Sequence, residues 1–254
     1  MRKAFYRLYN RIQAFLAPGL RNSQFPYRES LERCVRPGID WLDLGCGHQL
    51  LPDWMPSSED LEANLLARCR RFVGIDADAP SLRKNRLARC LVAGNIESLP
   101  FPDASFDLVT ANMVVEHVAK PVDLLREVHR VLKPEGQFLF HTPNSRGYTT
   151  LTARLLPDKA KIWLVRFLQG RKSGDIFPTF YRLNSHRSVA EVAAACGFEF
   201  QEIAFEESSA QTVMLGPLVV PELLLIRALR WKPLGAFRTN LIVTLRKPAN
   251  PRAA

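Results

Sequence analysis

The sequence predicts an α/β fold: a three-layer sandwich around a seven-stranded, mostly parallel sheet with helices on both sides. Three observations predict it. From residue 39 onward, short apolar runs alternate with amphipathic stretches at helical spacing. The connections between them are short, and acids and glycines gather where the apolar runs end. The chain has 254 residues, which suits one such domain with insertions. With 47% hydrophobic and 24% charged residues it is neither disordered nor fibrous.

The elements follow in order. Phe5, Leu8, Tyr9, Ile12, Phe15 and Leu16 recur at helical spacing, with Arg2, Lys3, Arg7 and Arg11 mostly on the other face. This basic amphipathic helix suits a lid, an anionic membrane surface or a mitochondrial-type targeting segment. Residues 1–37 are therefore expected to form an N-terminal helix and lid, and residues 38–254 the main domain. Ile39–Leu44 reads as the first strand, followed by a turn at Gly45-Cys46-Gly47. Ser57 or Ser58 is expected to cap a helix whose first turn carries Glu59, Asp60 and Glu62, as the helix dipole favours. Phe72–Asp76 is a second strand, Ala79–Leu87 a short helix and Cys90–Ala93 a third strand. Phe106–Ala111 makes the fourth strand and Val122–Leu132 a helix, which Lys133-Pro134-Glu135-Gly136 stops and turns into a fifth strand, Gln137–Thr142. A basic, aromatic block at 145–187 breaks the rhythm. Val189–Ala195 then reads as a helix ending at Cys196-Gly197, Phe198–Phe205 as a sixth strand and Asn240–Leu245 as the last.

Charge is unevenly distributed. The net charge is +10, yet residues 1–24 hold five basic residues and no acid, and residues 188–225 hold six acids and no base. Block 145–187 is strongly basic, as are the last 29 residues. Such asymmetry points to an anionic partner or surface, or simply to solvated cations that aid solubility. Five cysteines form no C-x-x-C pair, which fits a reducing, cytoplasmic compartment. The longest near-apolar stretch, Val213 to Leu229, is interrupted by Pro217, Pro221, Glu222 and Arg227, so a spanning helix is not expected.

The chemistry gathers at the strand ends. Asp43 closes the first strand, and Gly45 and Gly47 flank Cys46, where a Cβ would obstruct close approach of the backbone to a ligand. Asp76 closes the second strand and can accept from both hydroxyls of a ribose, or can cap the next helix. Gly94-Asn95-Ile96-Glu97 follows the third strand, and Asn112 and Glu116-His117 follow the fourth. Gly45-Cys46-Gly47-His48-Gln49-Leu50 lacks the last glycine of a dinucleotide-binding turn, and Asp76 lies later than that motif requires.

Taken together with the run Leu99-Pro100-Phe101-Pro102-Asp103-Ala104-Ser105-Phe106-Asp107, these residues resemble the class I S-adenosylmethionine-dependent methyltransferases. The likeness is to methyltransferase type 11 and to the branch that includes quinone-biosynthesis and small-molecule O-methyltransferases, and it is close over about residues 38–144. The resemblance implies a Rossmann-like fold with S-adenosyl-L-methionine as cofactor. By it, Asp43, Gly45, Cys46 and Gly47 cradle the methionine part, Asp76 and Ala77 lie at the ribose, Asn95 and Ile96 contact adenine, and Asn112 lies beside the methionine portion. The family often has a glycine where Gln49 stands, and its first helix usually begins sooner, so Leu51-Pro52-Asp53-Trp54-Met55-Pro56 lengthens the loop.

Methyl transfer to a hydroxyl asks for alignment, water exclusion and removal of a proton. His117 is the first candidate base, or else a residue that caps the strand end, and His141 in Phe140-His141-Thr142 stands under the same two readings. Tyr148, Tyr181 and His186 belong to the expected substrate cover. No metal is expected, since neither H-E-x-x-H nor a clustered carboxylate site occurs. The cations and aromatics of block 145–187 suit a small-molecule, lipid-linked or glycan-type acceptor, methylated at oxygen. The N-terminal helix and Leu218–Leu229 suit a site near the inner face of a membrane, or else a core or dimer helix. An RNA-directed enzyme, which would need a binding module not visible here, and a non-catalytic cofactor-binding scaffold are the alternatives.

Overall fold

The computed structural model describes residues 2–85, 88, 90–155 and 178–249. Its strands are β1 (Asp40–Leu44), β2 (Arg71–Asp76), β3 (Leu91–Ala93), β4 (Phe106–Asn112), β5 (Leu132–Pro143), β6 (Glu199–Glu206) and β7 (Asn240–Arg246). They form one sheet in the order β3-β2-β1-β4-β5-β7-β6. β1 pairs in parallel with β2 and β4, β2 with β3, and β4 with β5. The last two pairings are antiparallel, giving the mostly parallel sheet with flanking helices that the sequence predicts.

The helices are α1 (Arg2–Leu16), α2 (Gln24–Cys34), α3 (Ser58–Arg68), α4 (Ala79–Leu82), α5 (Pro121–Val131), α6 (Tyr148–Leu155), α7 (His186–Ala195) and α8 (Val219–Leu229). By its contacts the chain divides into two units. One comprises residues 26–142, 179–204 and 241–254 and carries the sheet; the other comprises residues 1–25, 143–178 and 205–240.

In the sheet unit, every residue of β1 is buried, as a central parallel strand covered on both faces requires. α5 shows why this sequence makes a helix. Pro121 sits in its first turn, where no intrahelical N–H is needed, and His129 and Arg130 sit in its last, where the dipole favours cations. Leu124, Leu125, Val128 and Val131 are fully buried, each contributing roughly 1.5–3 kcal/mol of hydrophobic stabilisation. Arg130 then ties the Leu99–Asp107 run to this helix. It donates to the carbonyls of Leu99 (3.0 Å) and Phe101 (2.7 Å) and to Asp103 Oδ1 (2.8 Å). Glu127 Oε2 accepts from the Leu99 amide at 2.7 Å.

The amino end of the sheet is closed by ions. Lys133 bridges Asp40 and Asp107 at 2.8 and 2.7 Å, and Arg70 pairs with Asp40. Burial alone would raise the Asp40 carboxyl, but the hydrogen bonds from Arg70 and Lys133 prevail and hold it below the usual carboxylate value. The carboxyl ends of β1 and β4, between which the strand order reverses, are the place such a sheet leaves for a ligand.

Several local expectations change. Lys133–Gly136 is not a turn before the strand but part of β5, which begins at Leu132. Glu135 there takes φ 65°, and its amide donates to the Lys247 carbonyl at 2.9 Å, so β7 pairing draws the irregular segment into the sheet. Ser57 does not cap α3: its backbone is left-handed (φ 56°) and its side chain makes no capping bond. α4 ends at Leu82, and residues 86, 87 and 89 lie outside the described residues.

The other unit is helical. α1 and α8 share a buried cluster of Tyr9, Ala17, Ala210, Val219, Leu223 and Ile226. Of the basic block at 145–187, residues 156–177 lie outside the described residues. No described helix is long and apolar enough to cross a membrane.

Candidate active site

The candidate site lies at the carboxyl ends of β1, β2, β3 and β4, all in the sheet unit. The turn after β1 is held by its neighbour strand: the amides of Gly45 and Cys46 donate to the Ile75 carbonyl at 2.7 and 3.2 Å. Gly45 has φ +63°, and a Cβ added there would lie 2.4 Å from Val114 Cγ2. Only glycine satisfies both demands. The Cys46 side chain packs over Gly74 of β2, where an added Cβ would meet its Sγ at 2.6 Å. Burial, with the Asp43 and Asp76 carboxylates, pushes this thiol well above its ordinary value, so it stays protonated.

Asp76 joins the next two loops. Its Oδ2 accepts from the Gly47 amide and its Oδ1 from the Asp78 amide, both at 2.8 Å. Each oxygen keeps further acceptor capacity, as hydroxyl recognition requires. Ala77, beside it, is exposed. Asn95 Oδ1 accepts from the Glu97 amide at 2.9 Å, an Asx turn that fixes the loop after β3, and Ile96 is half-buried.

Asp43 is buried and points away from water. Thr110 of β4 donates to Asp43 Oδ1 at 2.5 Å and accepts from Trp41 Nε1 at 2.7 Å. Burial pushes the Asp43 carboxyl up to about 7; the Thr110 bond opposes this, while the Asp76 and Glu62 carboxylates add to it. Glu62 was read as a helix-dipole residue, yet it is buried, and its Oε1 accepts from the Leu51 amide at 2.7 Å. The lengthened loop after Gly47 is thus anchored by a carboxylate of α3.

Asn112, at the end of β4, is fixed on both sides. Its Oδ1 meets His141 Nδ1 at 2.9 Å, and its Nδ2 donates to the Leu50 carbonyl at 3.4 Å. That contact puts the ring proton on His141 Nδ1. His141 is fully buried against the Tyr27 ring, with centroids 5.4 Å apart, and burial pushes it down to about 3. It is therefore a neutral positioning group rather than a base open to solvent. Met113, next along, adopts φ 59° and is partly exposed, a strained non-glycine residue at the strand end.

His117 lies in the turn Val115–His117 after β4, one third exposed, with Nε2 3.9 Å from Glu116 Oε1. Glu116 is buried, and its Oε2 accepts from Thr142 at 3.0 Å. Its carbonyl accepts from the amides of Phe180 (2.8 Å) and Tyr181 (3.3 Å), which fixes the segment entering α7 beside His117. His186 opens α7, its ring centroid 5.7 Å from that of Phe200. Tyr148 belongs to the helical unit, where it donates to Glu222 Oε1 at 2.8 Å. Among the described residues no group of three or more His, Cys, Asp or Glu could hold a metal.

Sequence reasoning missed Thr110 and Met113, and the anchoring role of Glu62. A threonine inside the apolar run Phe106–Asn112 was the one available signal for the first; the other two depend on backbone geometry.

These residues fit S-adenosylmethionine. A Cβ on Gly47 would project into space beside Asp76, 4.0 Å from its Oδ2 and 3.7 Å from Ser81 Oγ, so the missing side chain leaves a cradle next to a carboxylate. Comparison with known proteins agrees. Residues 42–140 match the family described as a methyltransferase domain, Methyltransf_11. Malonyl-[acyl-carrier protein] O-methyltransferase of Erwinia pyrifoliae is 48% identical over 122 residues, covering 45% of this chain and 42% of its own. Demethylmenaquinone methyltransferase of Symbiobacterium thermophilum is 30% identical over 203 residues, covering 73% of this chain and 75% of its own. The chain spans about half the length of several curated relatives: 45, 42 and 50% of three of them. The solved structure of an S-adenosylmethionine-dependent methyltransferase from Methanosarcina mazei shares the fold, with TM-score 0.57 and 16% identity over 87% of this chain and 98% of that one. On the fold, the strand-end constellation and a relative matched over most of its length, the chain belongs to the class I S-adenosylmethionine-dependent methyltransferases.

Proposed function

We propose that this chain transfers a methyl group from S-adenosylmethionine to an oxygen of a small-molecule, lipid-linked or glycan-type acceptor. The observation that carries the reading is the Gly47–Asp76 bond, which sets a side-chain-free turn against a carboxylate at adjacent strand ends. The names of two relatives support the acceptor class, one specifying malonyl-[acyl-carrier protein] and O-methylation, the other demethylmenaquinone. All five cysteines are free, which supports a cytoplasmic setting. The basic helical unit supports a position at the inner face of a membrane.

Bound at the strand ends, S-adenosylmethionine supplies a methyl group already activated for in-line displacement. The chain's own work is positioning. Asp76 accepts from the ribose hydroxyls, with Ala77 beside it; Asn95 and Ile96 border the base; the backbone from Asp43 through Gly47 lies along the methionine part. Asn112, locked by His141 and Leu50, lines the same part. His117 takes the proton from the acceptor hydroxyl at Nε2, which lies 3.9 Å from Oε1 of the buried Glu116.

Calorimetric titration with S-adenosylmethionine, beside an Asp76→Ala variant, tests the cofactor site. Micromolar binding that the variant weakens supports the reading; a folded chain that binds none overturns it. An acceptor panel of quinols, carrier-linked carboxylates and glycans, assayed with methyl-labelled cofactor, then tests the acceptor class.

A further inference from the structure

In the helical unit, α8 is apolar on both sides. Its inner side buries Val219, Leu223, Ile226 and Leu229. The one acid on that side, Glu222, is satisfied by Tyr148, Thr212 and the amides of Gln211 and Thr212. The outer side carries Val220, Pro221, Leu224, Leu225 and Ala228, whose spacing of three and four residues makes one stripe. Leu224 is 48% exposed and Leu225 42%. This stripe faces water on a helix whose packing is already supplied by the opposite side, and such a surface marks an interaction site.

The stripe continues beyond the helix. Leu218 (56% exposed) precedes it and Trp231 (69%) follows. Arg230 donates to the Pro18 carbonyl, so the end of α8 meets the end of α1. Phe15 (79%) and Trp231, the two most exposed large apolar side chains among the described residues, therefore flank one contact.

The charge around these residues has one sign. Glu206, Glu207 and Glu222 are the only acids among the described residues of this unit; Glu207 and Glu222 are buried and Glu206 is half-buried. Arg7, Arg11, Arg21, Arg227, Arg230 and Lys232 are exposed. A second copy of the chain would bring the same positive field against itself. An anionic bilayer meets both features, its acyl boundary taking the leucines and aromatics and its phosphates the arginines and lysine.

We infer that the outer face of α8, with Phe15 and Trp231, docks on an anionic lipid surface. The inference rests on the membrane position proposed above but not on methyl transfer, because docking is measured without cofactor or acceptor. The test is co-sedimentation of the full chain with phosphatidylcholine vesicles, with and without about 30% phosphatidylglycerol. The chain sediments with the anionic vesicles, and raising the salt to roughly 0.5 M releases much of it. Leu224→Ser with Leu225→Ser, and separately Arg227→Glu with Lys232→Glu, each weaken partitioning about tenfold or more. All four side chains are exposed; circular dichroism and an unchanged melting temperature confirm that the variants fold. Phe15→Ser with Trp231→Ser provides a third variant if one of these fails to fold. Failure to sediment, or equal sedimentation with neutral vesicles, overturns the inference. So does a concentration-dependent dimer in sedimentation velocity that Leu224→Ser with Leu225→Ser abolishes, since a second copy would then cover this face.

Discussion

Gly47 and Asp76 are joined by a hydrogen bond of 2.8 Å from the glycine amide to Oδ2 of the carboxylate. The same carboxylate holds the start of α4 through the Asp78 amide. One side chain thus shapes both loops that border the candidate cofactor site, and binding and stability are coupled through it.

Asp76→Ala is expected to weaken S-adenosylmethionine binding by about 1.5–3 kcal/mol, the worth of charge-assisted hydrogen bonds. It also lowers stability, because the Gly47 and Asp78 amides lose their acceptor. Asp76→Asn, which keeps one oxygen, regains part of the stability and little of the affinity. Calorimetry and thermal melting on the pair read the two effects apart; equal affinity in all three proteins would show that the ribose lies elsewhere.

Gly45→Ala meets two obstacles, a left-handed backbone and Val114 Cγ2 at 2.4 Å. A loss of roughly 2–4 kcal/mol is expected, seen as a fall in melting temperature of about 5–10 °C. Adding Val114→Ala removes the collision but not the backbone strain, so it recovers only part. Full recovery in the double variant would mean that the φ angle at Gly45 is immaterial.

Asp43 gives the fold a pH dependence of definite sign. Burial pushes its carboxyl up to about 7 in the folded chain, against about 4 when unfolded. Between these values the folded state holds more protons than the unfolded one, so stability falls as pH rises from about 4 to about 7 and is level above. Glu207, pushed up to about 7 by burial, contributes with the same sign. The difference between wild type and Asp43→Asn isolates Asp43. Urea midpoints across that range should fall less steeply in the variant, and parallel slopes would contradict the assignment.

His117→Gln is expected to lower turnover by about 10²–10⁴ with a hydroxyl acceptor while leaving S-adenosylmethionine affinity unchanged. Single-turnover rates, measured once an acceptor is found, should fall while calorimetric titration with S-adenosylmethionine matches wild type. Undiminished turnover would remove His117 from the mechanism and leave it as a turn residue.

The strands, the glycine turn and the acids at strand ends were legible because strands buried on both faces, left-handed turns and strand-end carboxylates each leave a mark in the sequence. α2 was not legible. It is polar, carries Pro26 in its first turn, and buries only Pro26, Tyr27, Ser30 and Leu31. Its place is set by packing, such as Tyr27 on His141, which lie far apart in sequence. Ser57 failed as a cap for a related reason: the Pro52 carbonyl accepts from Met55 and the Met55 carbonyl from Ser58, and this local turn fixes the entry to α3. Sequence put His117 first as a base and left His141 under the same alternative reading; burial separates them, leaving one partly open to solvent and the other walled in.

The helical unit is assembled from three stretches that lie far apart in the chain. During synthesis, Tyr9 emerges about 200 residues ahead of Ala210, Leu223 and Ile226, which at cellular translation rates is roughly 10–40 s. For that interval the first helix lacks the α8 side chains that complete its cluster. A nascent chain halted before residue 205 holds β1 to β5 yet still carries α1 with its apolar side uncovered by α8. Completion of this unit therefore waits on the synthesis of α8.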